Sequence, residues 1–188
     1  MDRQFLWSLA RSKAPTPAFE TSQNLADIVL KHHSMKAKLL LISLTLCSFA
    51  ATAQLYGESI SLEKAKKVVN AAEAFGLRGE WRVVIAIVDA GGNLVLLEKI
   101  DNTQVGSIDI AIAKAKTANN FKRSTKVFED AVAKGGVGLR VLNVPGILPL
   151  EGGEPILLNG KVIGGIGVSG MQSSQDQEVV KAGLAALN

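Results

Sequence analysis

The chain has 188 residues, of which 47% are hydrophobic and 20% charged, a composition typical of a globular protein with one domain or a domain plus an appendage. Its formal net charge of +4 comes mostly from residues 1–53, which hold six Lys or Arg and three acids, whereas 15 basic and 14 acidic residues follow. Only five aromatic residues follow residue 53, without an interleaved basic stripe, which argues against a nucleic-acid-binding surface.

The segment 35–53 has the pattern of a secretory signal. Lys36 and Lys38 form a positive start, residues 39–50 are largely apolar, and Ala51-Thr52-Ala53 offers a small-x-small cleavage pattern. The apolar stretch is too short to span a bilayer comfortably. We therefore predict export to the periplasm or the medium, with no integral membrane segment after cleavage.

The segment 1–34 precedes this signal, although a signal normally starts a chain. It is polar, contains Pro15 and Pro17 and shows no sustained period, so we interpret it as a start-site artefact, with Met35 as the true start, or as a disordered extension. We predict a flexible leader over residues 54–60 and a folded domain over residues 61–188.

The predicted mature part contains neither histidine nor cysteine, because His32, His33 and Cys47 all lie before residue 54. This excludes disulfides, Ser-His-Asp triads, thiol nucleophiles and zinc sites built on His or Cys. Carboxylates, Lys, Arg, Ser, Thr, Tyr56 and Met171 remain available for chemistry.

Hydrophobic spacing predicts the first half of the domain. A helical pattern begins at Ser61 and ends near Gly76 and Gly79. The β-branched run 83–88 predicts a strand covered on both faces, and the turn residues 90–93 connect it to a second strand over residues 94–100. The two strands are predicted to form a β-hairpin.

Two helices and further short strands are predicted in the second half. Helical spacing covers residues 103–123, and a shorter helix follows with Ser124 or Thr125 as its N-cap. The last third is predicted to hold three short strands, with Asn159-Gly160 as a hairpin turn. A capping box over residues 174–177 predicts the closing helix. The order indicates an α+β fold with a mainly antiparallel sheet.

Gly165, Gly167 and Gly170 spell G-x-G-x-x-G, the pattern of dinucleotide-binding proteins. That motif needs a following parallel strand and an acid about 20 residues later, but the chain ends within the next helix. We instead interpret a glycine-rich strand whose bare surface admits another backbone, a helix or a flat ligand. A β-bulge, tight helix packing and a weak anion site beside Ser173 and Ser174 remain alternatives.

Three segments carry a resemblance to a known family: AIVDAGGNLVLLEKID, SIDIAIAKAKTANNFKRST and GGEPILLNGKVIGGIGVSGMQSSQDQEVVKAGLAAL. In this order they resemble the GlcG/HbpS-like or haem-degrading domain family, and they are also similar to the C-terminal domain of PduO-type corrinoid adenosyltransferases. The resemblance implies a profilin-like α/β/α arrangement with a five-stranded, mainly antiparallel sheet. It also implies homo-oligomers and, in one branch, extracellular haem binding.

The resemblance gives the site residues their roles. Many members carry His where this chain has Asn93, so haem iron would need another ligand here. Thr125 is a candidate for a ligand contact between subunits, with a helix N-cap as the alternative, and Met171 is either a ligand or a loop residue. Lys122 and Arg123 can pair with haem propionates or form a solvated helix end. Gly165 and Gly167 complete the predicted site.

The function predicted from the sequence is that of an exported, oligomeric, non-catalytic protein that binds haem or a related small molecule. One alternative is a metabolic enzyme that uses Asp89 and Glu98 as an acid/base pair, with simple turn chemistry as the other explanation for Asp89. Another alternative is a module that only contacts a protein encoded in the same operon.

Overall fold

The computed structural model of the chain describes residues 56–187. Its elements are α1 (Leu62–Arg78), β1 (Val84–Asp89), β2 (Leu94–Lys99), α2 (Ser107–Phe121), α3 (Lys126–Ala133), a 3-10 helix (Gly136–Asn143), β3 (Gly153–Leu158), β4 (Lys161–Ser169), α4 (Ser173–Leu184) and a second 3-10 helix (Ala185–Leu187). Within these residues, no helix is both long enough and apolar enough to cross a membrane. The predictions for residues 1–55 concern a part of the chain outside the described residues.

The four described strands form one sheet in the order β2–β1–β4–β3, and each neighbouring pair is antiparallel. β1 lies between β2 and β4, which explains why its apolar residues are fully buried. The predicted hairpin of β1 and β2 is confirmed. Because β4 is antiparallel to both of its neighbours, the G-x-G-x-x-G pattern does not stand in the parallel crossover unit that a dinucleotide fingerprint requires.

Alternate residues of β1 belong to two different hydrophobic clusters, because side chains of a strand alternate between its faces. One cluster joins β1 to α1 and α4 and includes Val68, Val69, Ile85, Ile87, Val179 and Val180. The other joins β1 to α2 and consists of Val84, Ala86, Val88, Ala111 and Ala115. Helices therefore cover both faces of the antiparallel sheet, which confirms the α+β class.

The described residues contain four strands and not the five that were predicted, since residues 144–152 form no strand. In this segment the N–H of Ile147 donates to the carbonyl of Val144, and the N–H of Leu148 donates to Oγ1 of Thr117. Pro149 has no N–H to offer. The backbone donors are thus engaged locally or by a side chain, so they do not form a strand ladder.

The predicted Asn159-Gly160 turn joins β3 to β4, and both residues have positive φ angles, 51° and 73°, as a type I′ turn requires. The predicted capping box is displaced. The N-cap of α4 is Gln172 and not Ser174, and its partner in the reciprocal capping interaction is Gln175. The extended conformation of Gln172 places the helix start two residues earlier, so the first turn of α4 includes Ser174.

Residues 56–60, which belong to the segment predicted as a flexible leader, are hydrogen-bonded to the sheet. The N–H of Gly57 donates to the carbonyl of Val162, and the N–H of Ile60 donates to the carbonyl of Ile163, both at 2.8 Å. Tyr56 forms a parallel bridge with Val162. This attachment to the start of β4 brings Tyr56 to the C-terminal end of α2.

Candidate functional site

The end of α2 gathers cations and aromatic rings. Lys122 is the C-cap residue of α2 and has a left-handed backbone (φ 54°), and its Nζ lies 4.5 Å from the centroid of the Tyr56 ring. The guanidinium of Arg123 lies 5.9 Å from the centroid of the Phe128 ring, which packs edge-on against Phe121. Both cation–ring distances fall in the range of cation–π interactions. We call these five residues the cationic–aromatic junction.

The phenol of Tyr56 holds the junction together. Its hydroxyl hydrogen is shared between the backbone carbonyls of Asn119, 3.0 Å from the phenol oxygen, and Asn120, at 3.2 Å. The carbonyl of Asn119 also accepts from the N–H of Lys122 at 3.3 Å, so the phenol adds a second donor there and supplies a donor to the carbonyl of Asn120 in the last turn of α2. The Tyr56 side chain nevertheless remains half exposed. The junction therefore combines a fixed aromatic ring with an accessible face.

Asn119 holds the end of α2, which carries the junction, against the turn between β1 and β2. It is fully buried, and its Nδ2 donates to the carbonyl of Ala90 at 3.2 Å and to Oδ1 of Asn120 at 3.0 Å. These bonds tie the end of α2 to the turn between β1 and β2. The Asn119-Asn120 pair at the end of the helical pattern was the available sequence signal for this role. Composition and hydrophobic periodicity did not distinguish the pair from other polar residues.

Thr125 lies close to the junction in sequence but faces the interior. It is fully buried, its N–H donates to the carbonyl of Gly153, and its Oγ1 accepts from the N–H of Gly153, both at 2.9 Å. Thr125 is the N-cap of α3, but its hydroxyl makes no capping hydrogen bond. The hydroxyl instead joins α3 to β3, and its predicted contact with a ligand stays a prediction.

Gly165 and Gly167 lie beneath α2. A Cβ atom added at Gly165 would collide with the carbonyl oxygen of Ala115, and one added at Gly167 would collide with that of Ala111. The missing side chains thus allow the backbone of α2 to approach β4 closely, which was one of the predicted explanations for the glycines. In this structure a helix occupies the space that a flat ligand would need.

Met171 lies at the opposite end of the sheet from the junction. It follows β4, whose Ser169 pairs with Val84 at the start of β1, whereas the end of α2 contacts Ala90 after the end of β1. Its backbone N–H donates to Oδ1 of Asp176 at 3.0 Å. The structure therefore brings Lys122 and Arg123 together at one site but does not bring Met171 to them.

A buried ion pair links α2 to α4. Nζ of Lys114 lies 2.8 Å from Oδ2 of Asp176 and donates to the carbonyl of Val168 at 2.9 Å, and both charged side chains are 2% exposed. Burial raises the pKa of the Asp176 carboxyl, and the Lys114 ammonium and the N–H of Met171 offset only part of this effect. Sequence analysis missed the pair, because its members lie 62 residues apart.

The carboxylates of the enzyme alternative do not form a pair. Asp89 lies at the turn end of β1, whereas Glu98 on β2 is opposite Ile85, four strand residues or about 13 Å away. Partial burial opposes ionisation of Asp89, but hydrogen bonds from Asn93 and from the backbone of the turn outweigh it, so the pKa of Asp89 is lowered. Asp89 has the role of a turn residue.

Glu98 instead faces Glu73 of α1. Burial raises the pKa of Glu98, the charge of Glu73 raises it further, and so does the hydrogen bond that the protonated Glu98 carboxyl can donate to the Glu73 carboxylate. Within residues 56–187, no group of three or more His, Cys, Asp or Glu residues is arranged to hold a metal ion. A raised carboxyl pKa beside one other carboxylate does not by itself define a catalytic site.

Comparison with known proteins identifies related sequences and folds. A 15.0 kDa protein of Citrobacter freundii encoded between dhaT and dhaS is 41% identical over 128 residues, which are 67% of this chain and 90% of that protein. The protein GlcG of Escherichia coli K12 is 34% identical over 110 residues, which are 58% of this chain and 81% of GlcG.

Among solved structures, the crystal structure of a PduOC–heme complex superposes with a TM-score of 0.63 at 27% identity, covering 69% of this chain and 96% of that chain. The family model described as "Haem degrading protein HbpS-like" matches residues 60–185, which include all four strands of the sheet. The resemblance predicted from the three sequence segments is thereby confirmed: this chain belongs to the HbpS-like family.

Proposed function

We propose that this protein is an exported, homo-oligomeric binding protein for haem or a related flat, anionic molecule, and that the cationic–aromatic junction is its ligand site. The single observation that carries the proposal is the junction itself, where the half-exposed ring of Tyr56 lies beside Lys122, which is followed in the chain by the exposed Arg123. Membership of the HbpS-like family and the similarity to PduOC, a protein crystallised with heme, support haem as the ligand.

The residues of the junction are complementary to the porphyrin ring and to the propionates of haem. The porphyrin is a large apolar plane that can pack against the rings of Tyr56 and Phe121. Its two propionates carry negative charge, which Lys122 and Arg123 can pair with through charge-assisted hydrogen bonds. A surface that offers an aromatic plane next to two cations is complementary to both features.

The residues around the iron would be unusual, because residues 54–188 contain no His or Cys. Within the junction the donor would be the phenol of Tyr56, a type of ligand that iron accepts in haem proteins, and the Tyr56 ring would then not pack against the porphyrin plane. Its hydroxyl would then have to release the carbonyls of Asn119 and Asn120. Bound haem would supply redox and oxygen chemistry, whereas the residues described here bind and orient it.

The remaining parts of the proposal concern processing and assembly. We propose that translation starts at Met35 and that a signal peptidase cleaves after Ala53, so that the mature chain begins at Gln54 and is periplasmic or secreted. We also propose a profilin-like arrangement, which the helices on both faces of the sheet support. Mass spectrometry of the exported protein tests the first point, and an N-terminus before residue 35 would contradict it.

Haem titration tests ligand binding. We expect a saturable Soret change with about one haem per subunit, and we expect Lys122→Ala combined with Arg123→Ala to weaken binding by roughly tenfold, the equivalent of about 1.4 kcal/mol. The matched control is Lys64→Ala combined with Lys161→Ala, which removes two cations from a separate groove of about 300 Å³ beside the β3–β4 turn. Unsaturable uptake, or equal losses in both double variants, would contradict the site.

A further inference from the structure

The turn between β3 and β4 contains the one Asn-Gly pair of the whole sequence. Both residues, Asn159 and Gly160, are exposed, and both have left-handed backbones, with φ angles of 51° and 73°. The side-chain amide of an asparagine can react with the backbone nitrogen of the next residue, and glycine leaves that nitrogen unshielded and the main chain free to rotate. The turn therefore holds the two partners of an intramolecular reaction side by side.

The backbone nitrogen of Gly160 is available for such a reaction. In a two-residue turn the closing hydrogen bonds join the flanking residues, here Leu158 and Lys161, which are paired in the register of β3 and β4. The N–H of Gly160 therefore lies outside the ladder. A Cβ atom added at Gly160 would meet no atom within 4 Å, so the space around this residue is open.

Asn102 provides the contrast within the same chain. It is also exposed and left-handed, with a φ angle of 65°, but Thr103 follows it. Thr103 is 5% exposed, and its N–H donates to the carbonyl of Ile100 at 3.1 Å. A nitrogen that is hydrogen-bonded and flanked by a stiff, β-branched side chain is a poor nucleophile. Of these two asparagines with similar φ angles, the structure leaves Asn159 next to an accessible nitrogen and Asn102 next to an engaged one.

The tip of the hairpin is free to open locally. Formation of a ring between the Gly160 nitrogen and Cγ of Asn159 requires the main chain of Asn159 to rotate out of its turn conformation. The regular ladder beside the turn is short, since the register of β3 and β4 shifts between Ile156 and Leu157, and Leu157 is 41% exposed. Exposed backbone with few buried contacts opens at little cost in free energy. The reactive conformation is therefore accessible without unfolding of the sheet.

The electrostatic surroundings of the turn favour the reaction. Asn159 lines the groove of about 300 Å³ beside this turn together with Lys64, Lys161 and Glu58. Two cations against one carboxylate give the groove a positive balance. Such a balance favours the negative charge that develops when an amide nitrogen loses its proton, and it also favours a carboxylate in place of the amide.

We propose that Asn159 is a site of spontaneous deamidation. The nitrogen of Gly160 gives its proton to a base from the solvent and forms a bond to Cγ of Asn159, the bond from Cγ to Nδ2 breaks, and Nδ2 takes up a proton and leaves as ammonia. Water then opens the five-membered imide at either carbonyl carbon, which yields aspartate or isoaspartate. This exchange of ammonia for water requires no oxidant or reductant. The site is independent of haem binding and of self-association.

Isoaspartate would change more than the charge of the groove. It inserts a methylene carbon into the main chain, so the turn loses the two-residue form that pairs Leu158 with Lys161. Val162 follows directly, and its carbonyl accepts from the N–H of Gly57. Modification of the turn therefore loosens the attachment of the segment that carries Tyr56.

Ageing of the purified full chain under native conditions tests the site. Peptide mapping by mass spectrometry follows Asn159 and, as the internal control, Asn102, at mildly acidic and at mildly alkaline pH. We expect Asn159 to be converted about tenfold faster than Asn102, with isoaspartate among the products and a rate that rises with pH. Conversion of Asn159 no faster than that of Asn102, or conversion to aspartate without isoaspartate, would overturn the proposal.

Asn159→Gly is the matched variant, because glycine removes the amide and suits the left-handed turn. Circular dichroism establishes that this variant folds. On ion exchange of the intact protein, acidic forms should accumulate about tenfold faster in the wild type than in the variant, and equal accumulation would overturn the assignment to Asn159. The isoaspartate fraction should exchange the amide hydrogens of residues 56–60 faster than unmodified protein, and equal exchange would refute the loosened attachment.

Discussion

The middle of α2 and its C-terminal end differ in what surrounds them. The part from Ala111 to Ala115 lies on the bare backbone of β4 and sends Lys114 into a buried ion pair with Asp176. The end at Lys122 carries the half-buried Lys122, the exposed Arg123 and the half-exposed Tyr56. The packed part fixes the helix in place, whereas the free end at Lys122 leaves Arg123 and part of the Tyr56 side chain open to solvent. Changes in the packed part should therefore affect folding, and changes at the free end should affect binding.

The largest expected effect comes from removing one member of the buried ion pair. Lys114→Met leaves the buried carboxylate of Asp176 without a counter-charge, and we expect the free energy of unfolding to fall by about 3 to 5 kcal/mol. Urea unfolding measures this loss. Adding Asp176→Asn removes the unpaired charge and should restore part of the stability. A double variant as unstable as the sum of its single changes would show that the two residues are not coupled.

A side chain at Gly167 should destabilise the protein next most strongly. The Cβ of Gly167→Ala would collide with the carbonyl of Ala111, so α2 must move away from the sheet, and we expect a loss of about 3 kcal/mol. The matched control is Gly106→Ala, because an added Cβ there meets no atom within 4 Å and the φ angle of −62° suits alanine. Equal unfolding midpoints for the two variants in urea would refute the close contact.

At the free end, Tyr56→Phe should have a smaller effect. The change removes the hydroxyl that donates to the carbonyls of Asn119 and Asn120 but keeps the ring beside Lys122. We expect the free energy of unfolding to fall by about 1 kcal/mol, because the site is partly exposed and water can replace the hydroxyl. Hydrogen exchange should be faster in residues 56–60 and at the end of α2. Unchanged exchange there would indicate that the phenol does not attach this segment.

The smallest effect is expected on the other face of the sheet, where Glu98 faces Glu73. Because the pKa of Glu98 in the folded protein lies above its ordinary value of 4.5, the folded state holds more protons than the unfolded state. The free energy of unfolding should therefore decrease as pH rises from about 4.5 through the raised pKa.

Glu73→Gln removes the like charge and should stabilise the protein at pH 7 by about 0.5 kcal/mol, with little change at pH 4. Urea unfolding at the two pH values measures the difference. Glu58→Gln is the control, because Glu58 is an exposed acid outside this pair. An equal gain at both pH values would contradict the repulsion between Glu73 and Glu98.

The fold was largely predictable from local patterns, and the site was not. The unbroken run at Val84–Val88, the Asn159-Gly160 turn and the helical spacing of α1 and α2 each express a local preference of a few neighbouring residues. The fifth strand was predicted wrongly within the described residues, because apolar residues around Pro149 look like a strand when their hydrogen-bond partners are unknown. The partner of Leu148 is Thr117, 31 residues earlier.

Among the predicted site residues, Arg123 is exposed and the adjacent Lys122 is half-buried, whereas Thr125, Gly165 and Gly167 are buried by contacts with other elements. A hydroxyl or a glycine has the same sequence signal in a binding site and in a packed core. Whether such a residue lies in a binding site or in a packed core depends on which helix or strand packs against it.

The sequence by itself determined which functional groups are available, because no imidazole or thiol follows residue 53 and the charges of the domain are nearly balanced. It also determined the glycines of β4, where a side chain would block the approach of α2. Tertiary structure alone decided that α2 fills the space above those glycines, that Lys114 meets Asp176, and that Tyr56 reaches the end of α2. Residue types are fixed by the chain, whereas contacts between residues some 60 positions apart exist only after the sheet has set the distances between its helices.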